Sequence, residues 1–286
     1  MKISMLMGTL DRKELMLRAI DSILGQSYSD FEIIVIDQSQ ENNENSLPND
    51  ERIRYFHIAE KGLSHARNVG LQYVTGDIIG LMDDDAVYEE SVLEKVSRLF
   101  EQDKKLGLVS GVVRDIATNK ISLNGMGSKA QEIVKRNVFR CCISPSMFIK
   151  RDIFFTNSFD EQLGLGAFWG SGEETDIALQ VIYSGQNTLF CPDIVVFHPS
   201  RVKENEPFTK ITSYSRGFGA VCAKHYYLYG NKKMRYLYKR ALFRAIGGYL
   251  LSILKFSSHM RQYYKISFRA KREGYKTYRQ QLRGKR

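Results

Sequence analysis

The sequence has little cysteine, no long apolar run and, after Val202, hardly any acid. Its four cysteines are Cys141, Cys142, Cys191 and Cys222 in 286 residues. Two are adjacent and the others share no regular spacing, so neither a disulfide framework nor a zinc-binding pattern is present. In the C-terminal part the most apolar run, 245–254, has 10 residues, against the roughly 20 that span a bilayer. The opening Met1-Lys-Ile-Ser-Met-Leu-Met-Gly is too short an apolar run for a signal peptide and reads as a strand, so a reducing, cytoplasmic location is expected. No G-x-G-x-x-G follows the first strand, and G-x-x-x-x-G-K-[ST] is absent throughout. Both of the common glycine-built phosphate cradles are thereby excluded.

The charge is divided unevenly. Residues 1–202 carry 21 Lys and Arg against 29 Asp and Glu, whereas 203–286 carry 21 against 3. The first part can host a cation-assisted site. The second seeks phosphate, on nucleic acid or anionic lipid.

Along the chain, Ile3–Met7 reads as a strand and 12–26 as a helix with an apolar face at Leu15, Ala19, Ile20, Ile23 and Leu24, capped by Thr9 or Asp11. Phe31–Asp37 and Ile53–Ile58 follow as strands, and 63–74 as a helix carrying Arg67 and Asn68. Gly76-Asp-Ile-Ile-Gly-Leu-Met-Asp83-Asp84-Asp85 then shows no alternation, the mark of a central parallel strand covered on both faces. Beyond it come a helix at 89–103, a strand at 107–113, an irregular connection at 114–140, a strand or edge at 144–150, a helix opening at Glu173 and a strand at 187–197. This pattern predicts an α/β fold with a doubly wound, mostly parallel sheet and right-handed crossovers. Three carboxylates stand at the carboxyl end of its central strand, where such sheets bind ligands. Side chains at i and i+2 point the same way, so Asp83 and Asp85 converge, and two carboxylates suit Mg²⁺ or Mn²⁺ beside a phosphate. A solvated acidic turn capping the next helix is the plainer alternative.

Thr9-Leu10-Asp11-Arg12, Ala19-Ile20…Gln26, Glu32–Asp37, Leu63-Ser-His-Ala-Arg67-Asn68-Val-Gly70, Asp83-Asp84-Asp85, Glu173-Glu174-Thr-Asp176 and Val196-Phe197-His198-Pro199 occur in this order. Together, over roughly 1–200, they resemble the GT-A glycosyltransferases of family 2. The resemblance implies a Rossmann-like GT-A domain, expected at 1–205, with a basic helical extension at 206–286. It implies an inverting transfer from a nucleoside-diphosphate sugar, commonly of uridine, with Mn²⁺ or Mg²⁺ as cofactor. By the same resemblance Thr9, Asp11, Asp37, Arg67, Asn68, Asp83 and Asp84 would bind the nucleotide sugar. Asp85, with Asp83 and His198, would hold the metal. An inverting displacement also wants a carboxylate base. Relatives often read Glu-Asp-x-Asp at this motif; here Glu174 stands at the base position, Glu173 is its alternative, and Asp176 orients the site. Half of this acidic cluster could equally serve the helix dipole. Trp169, set among four glycines, could form a platform for the acceptor sugar or be an ordinary core aromatic.

Two rivals belong to other classes. A nucleotidyltransferase would also use strand-end aspartates, but it would show a glycine-rich, lysine-containing loop near the N-terminus. A non-catalytic nucleotide- or nucleic-acid-binding protein would owe its function to the tail, yet no nucleic-acid module is recognisable, so no nucleic acid is expected as a partner. In the tail, Leu237, Ala241, Leu242, Ala245, Ile246, Tyr249, Leu250 and Ile253 form an apolar stripe with Lys239, Arg240, Arg244 and Lys255 off it. This predicts peripheral attachment to the anionic inner face of the cell membrane, where a saccharide or lipid-linked acceptor for surface polysaccharide synthesis would be found. Packing of that stripe on the rest of the chain is the alternative.

Overall fold

The computed structural model describes residues 1–122, 127–199 and 207–284. The expected boundary at 205/206 and residues 123–126 of the 114–140 connection lie outside the described residues. The elements are β1 (Ile3–Thr9), α1 (Lys13–Leu24), β2 (Phe31–Asp37), β3 (Ile53–His57), α2 (Leu63–Leu71), β4 (Ile78–Asp83), β5 (Val87–Tyr88), α3 (Val92–Gln102), β6 (Leu106–Asp115), β7 (Gln131–Glu132), α4 (Val138–Cys141), β8 (Met147–Lys150), α5 (Glu173–Tyr183), β9 (Asn187–His198), α6 (Phe208–Tyr227), α7 (Lys232–Leu254) and α8 (Ser258–Gly284).

The chain forms two compact units, Met1–Phe159 with Ile177–Ser200, and Asp160–Asp176 with Arg201–Arg286, so the division falls within α5.

In the first unit the strands form one mixed sheet in the order β3-β2-β1-β4-β8-β6-β9-β5, with β7 on β9. Strands β3, β2, β1 and β4 run parallel, and β8 inserts antiparallel between β4 and β6. Strands β1, β2 and β4 are buried nearly throughout, which explains the unbroken apolar runs in β2 and β4. One set of their side chains, including Met5, Met7, Ile33 and Val35, meets Met16, Ile20 and Ile23 of α1 and Val92, Val96 and Phe100 of α3 in a single core. Against the alternate set lies α2; a Cβ at Gly70 would run into Leu6 and Ile36.

The second unit is built on α6, α7 and α8. Helices α6 and α8 approach closely at Gly219 and Gly274, where an added Cβ would collide with the backbone of Lys271 and Arg216 respectively. Among the described residues no helix is long and apolar enough to cross a membrane.

Candidate active site

Register brings the sequence motifs of the first unit together. Thr9 pairs with Asp37 and Gly8 with Asp83, so the carboxyl ends of β1, β2 and β4 form one edge. The expected helix cap is absent at that edge. Asp11 sits in the left-handed region at φ 54°, donates its backbone N–H to Ser39 Oγ at 2.8 Å and accepts from the Gln40 N–H at 3.0 Å. It therefore ties the loop after β1 to the loop after β2. Asp37 is fully buried and accepts from Ser39 N at 2.8 Å, Asn43 Nδ2 at 2.9 Å and Tyr55 Oη at 2.7 Å. Burial pushes its pKa up, and these donors outweigh that and hold the carboxyl below its ordinary range.

The three carboxylates after β4 have separate partners. Asp83 Oδ1 accepts from Arg67 Nη2 at 3.0 Å and from Ser144 Oγ at 2.9 Å, and Arg67 also donates to Ser144 Oγ at 2.5 Å. Arg67 is fully buried, with its guanidinium 5.6 Å from the Phe159 ring centroid. Asn68, its neighbour on α2, clamps the Phe159 backbone at 2.9 Å in both directions. Asp84 accepts from Thr9 Oγ1 at 2.9 Å and from Arg12 Nη1 at 3.0 Å; its pKa is raised, burial exceeding the pull of Arg12 and Thr9. Asp85 meets Arg12 at 3.1 Å and His198 Nε2 at 2.9 Å. Burial opposes its ionisation, but His198 and Arg12 win and lower its pKa; the His198 pKa rises, burial being outweighed by Asp85.

Asp83, Asp85 and His198 each offer one ligand atom, and these atoms lie within 4.8 Å of one another. The imidazole is already oriented, because Nδ1 must donate to the Pro199 carbonyl at 2.8 Å. Nε2 is thus the nitrogen turned toward the carboxylates, the usual arrangement of a metal-binding histidine with its other nitrogen pinned. Two carboxylate oxygens and one imidazole nitrogen fit a divalent cation of the Mn²⁺ type.

In the second unit, Gly164, Gly166, Gly170 and Gly172 all have positive φ, from 79° to 99°, a conformation glycine alone adopts without cost. They lead into the first turn of α5. There Glu173 and Asp176 are buried while Glu174 keeps solvent access. Asp176 accepts from His225 Nε2 at 2.9 Å and from Lys224 Nζ at 2.9 Å, and Lys224 also reaches Asp160 at 2.8 Å. Burial pushes the Asp176 pKa up, and its contacts with His225 and Lys224 of α6 outweigh that and hold it below its ordinary range. Asp176 thus lies inside a buried charge network.

Of the two readings of Trp169, its burial matches the core aromatic. It is fully buried, 4.7 Å edge-on to Phe168 and 5.7 Å from Tyr278, because the glycine turns fold it inward. The exposed aromatic beside it is Phe168, at 56% exposure, with the Arg216 guanidinium 5.8 Å from its ring centroid. Sequence reasoning assigned no role to Arg12, Asn43, Tyr55, Ser144, Lys224 or His225. Arg12 stood inside a recognised motif and could have been found; Ser144, Lys224 and His225 meet their partners from 61, 48 and 49 residues away.

The model of Glycosyl transferase family 2 matches residues 4–155, more than half of the chain. This chain belongs to glycosyltransferase family 2. The family 2 match takes in every candidate from Thr9 to Asp85 and ends before the α5 carboxylates and His198. Family membership also sets aside the nucleotidyltransferase reading. A glucosyl-dolichyl phosphate glucuronosyltransferase of Haloferax volcanii is 25% identical over 186 residues, 57% of this chain and 58% of its own length. This chain spans only 27%, 18% and 26% of the length of the curated relatives matched first.

Two solved structures share the GT-A fold. The mannosyltransferase PcManGT from Pyrobaculum calidifontis, in complex with GDP-Man and Mn²⁺, superposes with a TM-score of 0.62 at 15% identity, over 93% of this chain and 85% of its own. S. aureus TarS 1–349 in complex with UDP gives 0.58 at 14% identity, over 98% and 92%. At these identities the likeness establishes the fold.

Proposed function

We propose that this glycosyltransferase moves a sugar, with inversion, from a nucleoside-diphosphate sugar, above all a UDP-sugar, to a saccharide or lipid-linked saccharide acceptor in surface polysaccharide synthesis. The observation that carries this reading is the convergence of Asp83, Asp85 and a pre-oriented His198 at the strand ends. The UDP and the GDP-Man with Mn²⁺ in the two structural neighbours support a nucleotide-sugar donor and a divalent metal. The dolichyl phosphate in the name of the Haloferax relative supports a lipid-linked acceptor. The catalytic domain is taken as 1–205, and 206–286 as the part that holds the chain at the inner face of the membrane.

Thr9, Asp11, Asp37, Arg67, Asn68, Asp83 and Asp84 serve the donor in this reading. Asp37 accepts hydrogen bonds from base or ribose. Arg67 and Ser144 fix the Asp83 carboxylate, while Arg12 relieves repulsion between Asp84 and Asp85. Asp83, Asp85 and His198 would hold a divalent cation, which would supply Lewis-acid stabilisation to the departing diphosphate. Glu174, the accessible carboxylate of its turn, takes the proton of the acceptor hydroxyl as that oxygen bonds the anomeric carbon and the sugar–phosphate bond breaks. Glu173 and Asp176 hold the turn.

Release of nucleoside diphosphate from UDP-, dTDP- and GDP-sugars, measured with a lipid extract as acceptor source, tests this. One donor should turn over, and Glu174→Gln should slow it by about 10² to 10⁴, the worth of a positioned base, with donor affinity unchanged. Full activity in Glu174→Gln moves the base to Glu173; turnover of no donor rejects the reading.

A further inference from the structure

We infer that the corner between α7 and α8 is an apolar wedge that enters the headgroup region of an anionic bilayer. The inference rests on the membrane attachment proposed above and names the segment that makes it, which overlaps the stripe expected from sequence only in its C-terminal half. Of that stripe, Ala245 is buried and Leu237, Ala241, Leu242 and Tyr249 are half-buried, since α7 packs on its neighbouring helices. What remains outside is Ile246, Leu250 and Ile253 of that stripe, joined by Phe243, Leu251, Leu254 and Phe256. Positions 243, 246, 250 and 254 share one helix face.

Exposure is greatest at the corner, 74% at Leu254 and 91% at Phe256, against 44% at Ile246 and 56% at Leu250, with Phe243 at 72% farther along the helix. A contiguous exposed apolar patch of this kind marks an interaction surface. Phe256 holds φ 53°, a conformation a phenylalanine gains nothing from locally, and it turns the ring out of the corner.

The charge around the patch selects the partner. Between residues 232 and 284 stand 15 Lys and Arg and one acidic residue, Glu273. Lys239, Arg240, Arg244 and Lys255 border the patch along α7 and its end, where their stems can lie on lipid while their heads reach phosphates. Two copies of this chain meeting through the same patch would bring together two strongly positive surfaces with a single carboxylate each to offset them. A bilayer rich in anionic headgroups meets both the apolar and the electrostatic demand.

Co-sedimentation of the full chain with vesicles of phosphatidylcholine alone, and of phosphatidylcholine with phosphatidylglycerol in equal parts, tests the wedge. Wild type is compared with Phe256→Gly and with Leu254→Glu combined with Phe256→Gly. Glycine suits the positive φ, so circular dichroism should show the folded state intact. The wild type should bind the anionic vesicles and leave the neutral ones, and the double variant should lose about tenfold or more in partitioning, the scale of removing two large apolar side chains from lipid. Undiminished binding by the double variant overturns the wedge while leaving electrostatic attachment standing. No binding by the wild type overturns both. A dimer of the wild type in sedimentation velocity that the double variant dissolves assigns the patch to a second copy instead.

Discussion

Asp176, Lys224, His225 and Asp160 form the most heavily buried charge network described in the second unit. Taking these groups out of water is costly, and the network is tolerable because each carboxylate has a cation within 3 Å. Lys224→Met should therefore cost about 3–5 kcal/mol, the range for removing one partner of a buried ion pair, read as a fall in the denaturant midpoint. Lys224→Arg should recover part of that loss. An unchanged midpoint in Lys224→Met would show that the network contributes nothing to the fold. Residues of this kind were the least legible in the sequence. The strand-end residues could be placed because parallel strands gather their carboxyl ends on one edge whatever the loops do. Lys224, His225 and Ser144 reach their partners across tens of residues, and no local pattern announces such a meeting. Trp169 stays open between two readings in the sequence for a related reason: the glycines predict a sharply turning loop, but not which way its tryptophan faces.

At the scale of elements, hydrophobic pattern located most helices and strands, since a strand covered on both faces and a one-sided helix have different periods. It did not give the antiparallel insertion of β8 between β4 and β6, which depends on where a distant strand finds an open edge. In the tail it gave helices but not how much of the α7 stripe stays exposed: Ala245 is buried while Ile246, Leu250 and Ile253 are not, because packing on the neighbouring helices decides which part is covered. The α6–α8 contact also carries a titration. Lys271 of α8 donates to Ser215 of α6 and to Ser267, and its ammonium lies 5.8 Å from the Phe218 ring centroid. Burial lowers its pKa from 10.5 to about 8, the buried Cys222 opposing weakly. The folded chain releases this proton near pH 8 and the unfolded chain near 10.5, so between them the unfolded state binds more protons and stability rises with pH. The gain across the window is on the order of 3 kcal/mol. Urea unfolding from pH 7.5 to 10.5 should show the rise above a background from other groups, and Lys271→Met should remove it. A slope identical in wild type and variant would contradict the account.

For the molecule as a whole, family membership rests on residues 4–155, within the acidic part of the chain, while the basic part carries the exposed apolar surface proposed to meet the membrane. The division of charge is visible in composition alone, and it is the basis for expecting two kinds of partner, a metal-assisted nucleotide and an anionic surface. The sugar was not visible, because its choice depends on a few side chains around a ring that neither motif spacing nor charge specifies. The central claim is that Asp83, Asp85 and His198 bind a nucleoside diphosphate through a divalent cation. Calorimetric titration of UDP into the wild type and Asp85→Ala, each with and without Mn²⁺, tests it most directly. The account predicts micromolar binding by the wild type that requires Mn²⁺ and disappears in Asp85→Ala. Binding of equal strength without Mn²⁺, or retained in Asp85→Ala, would contradict it.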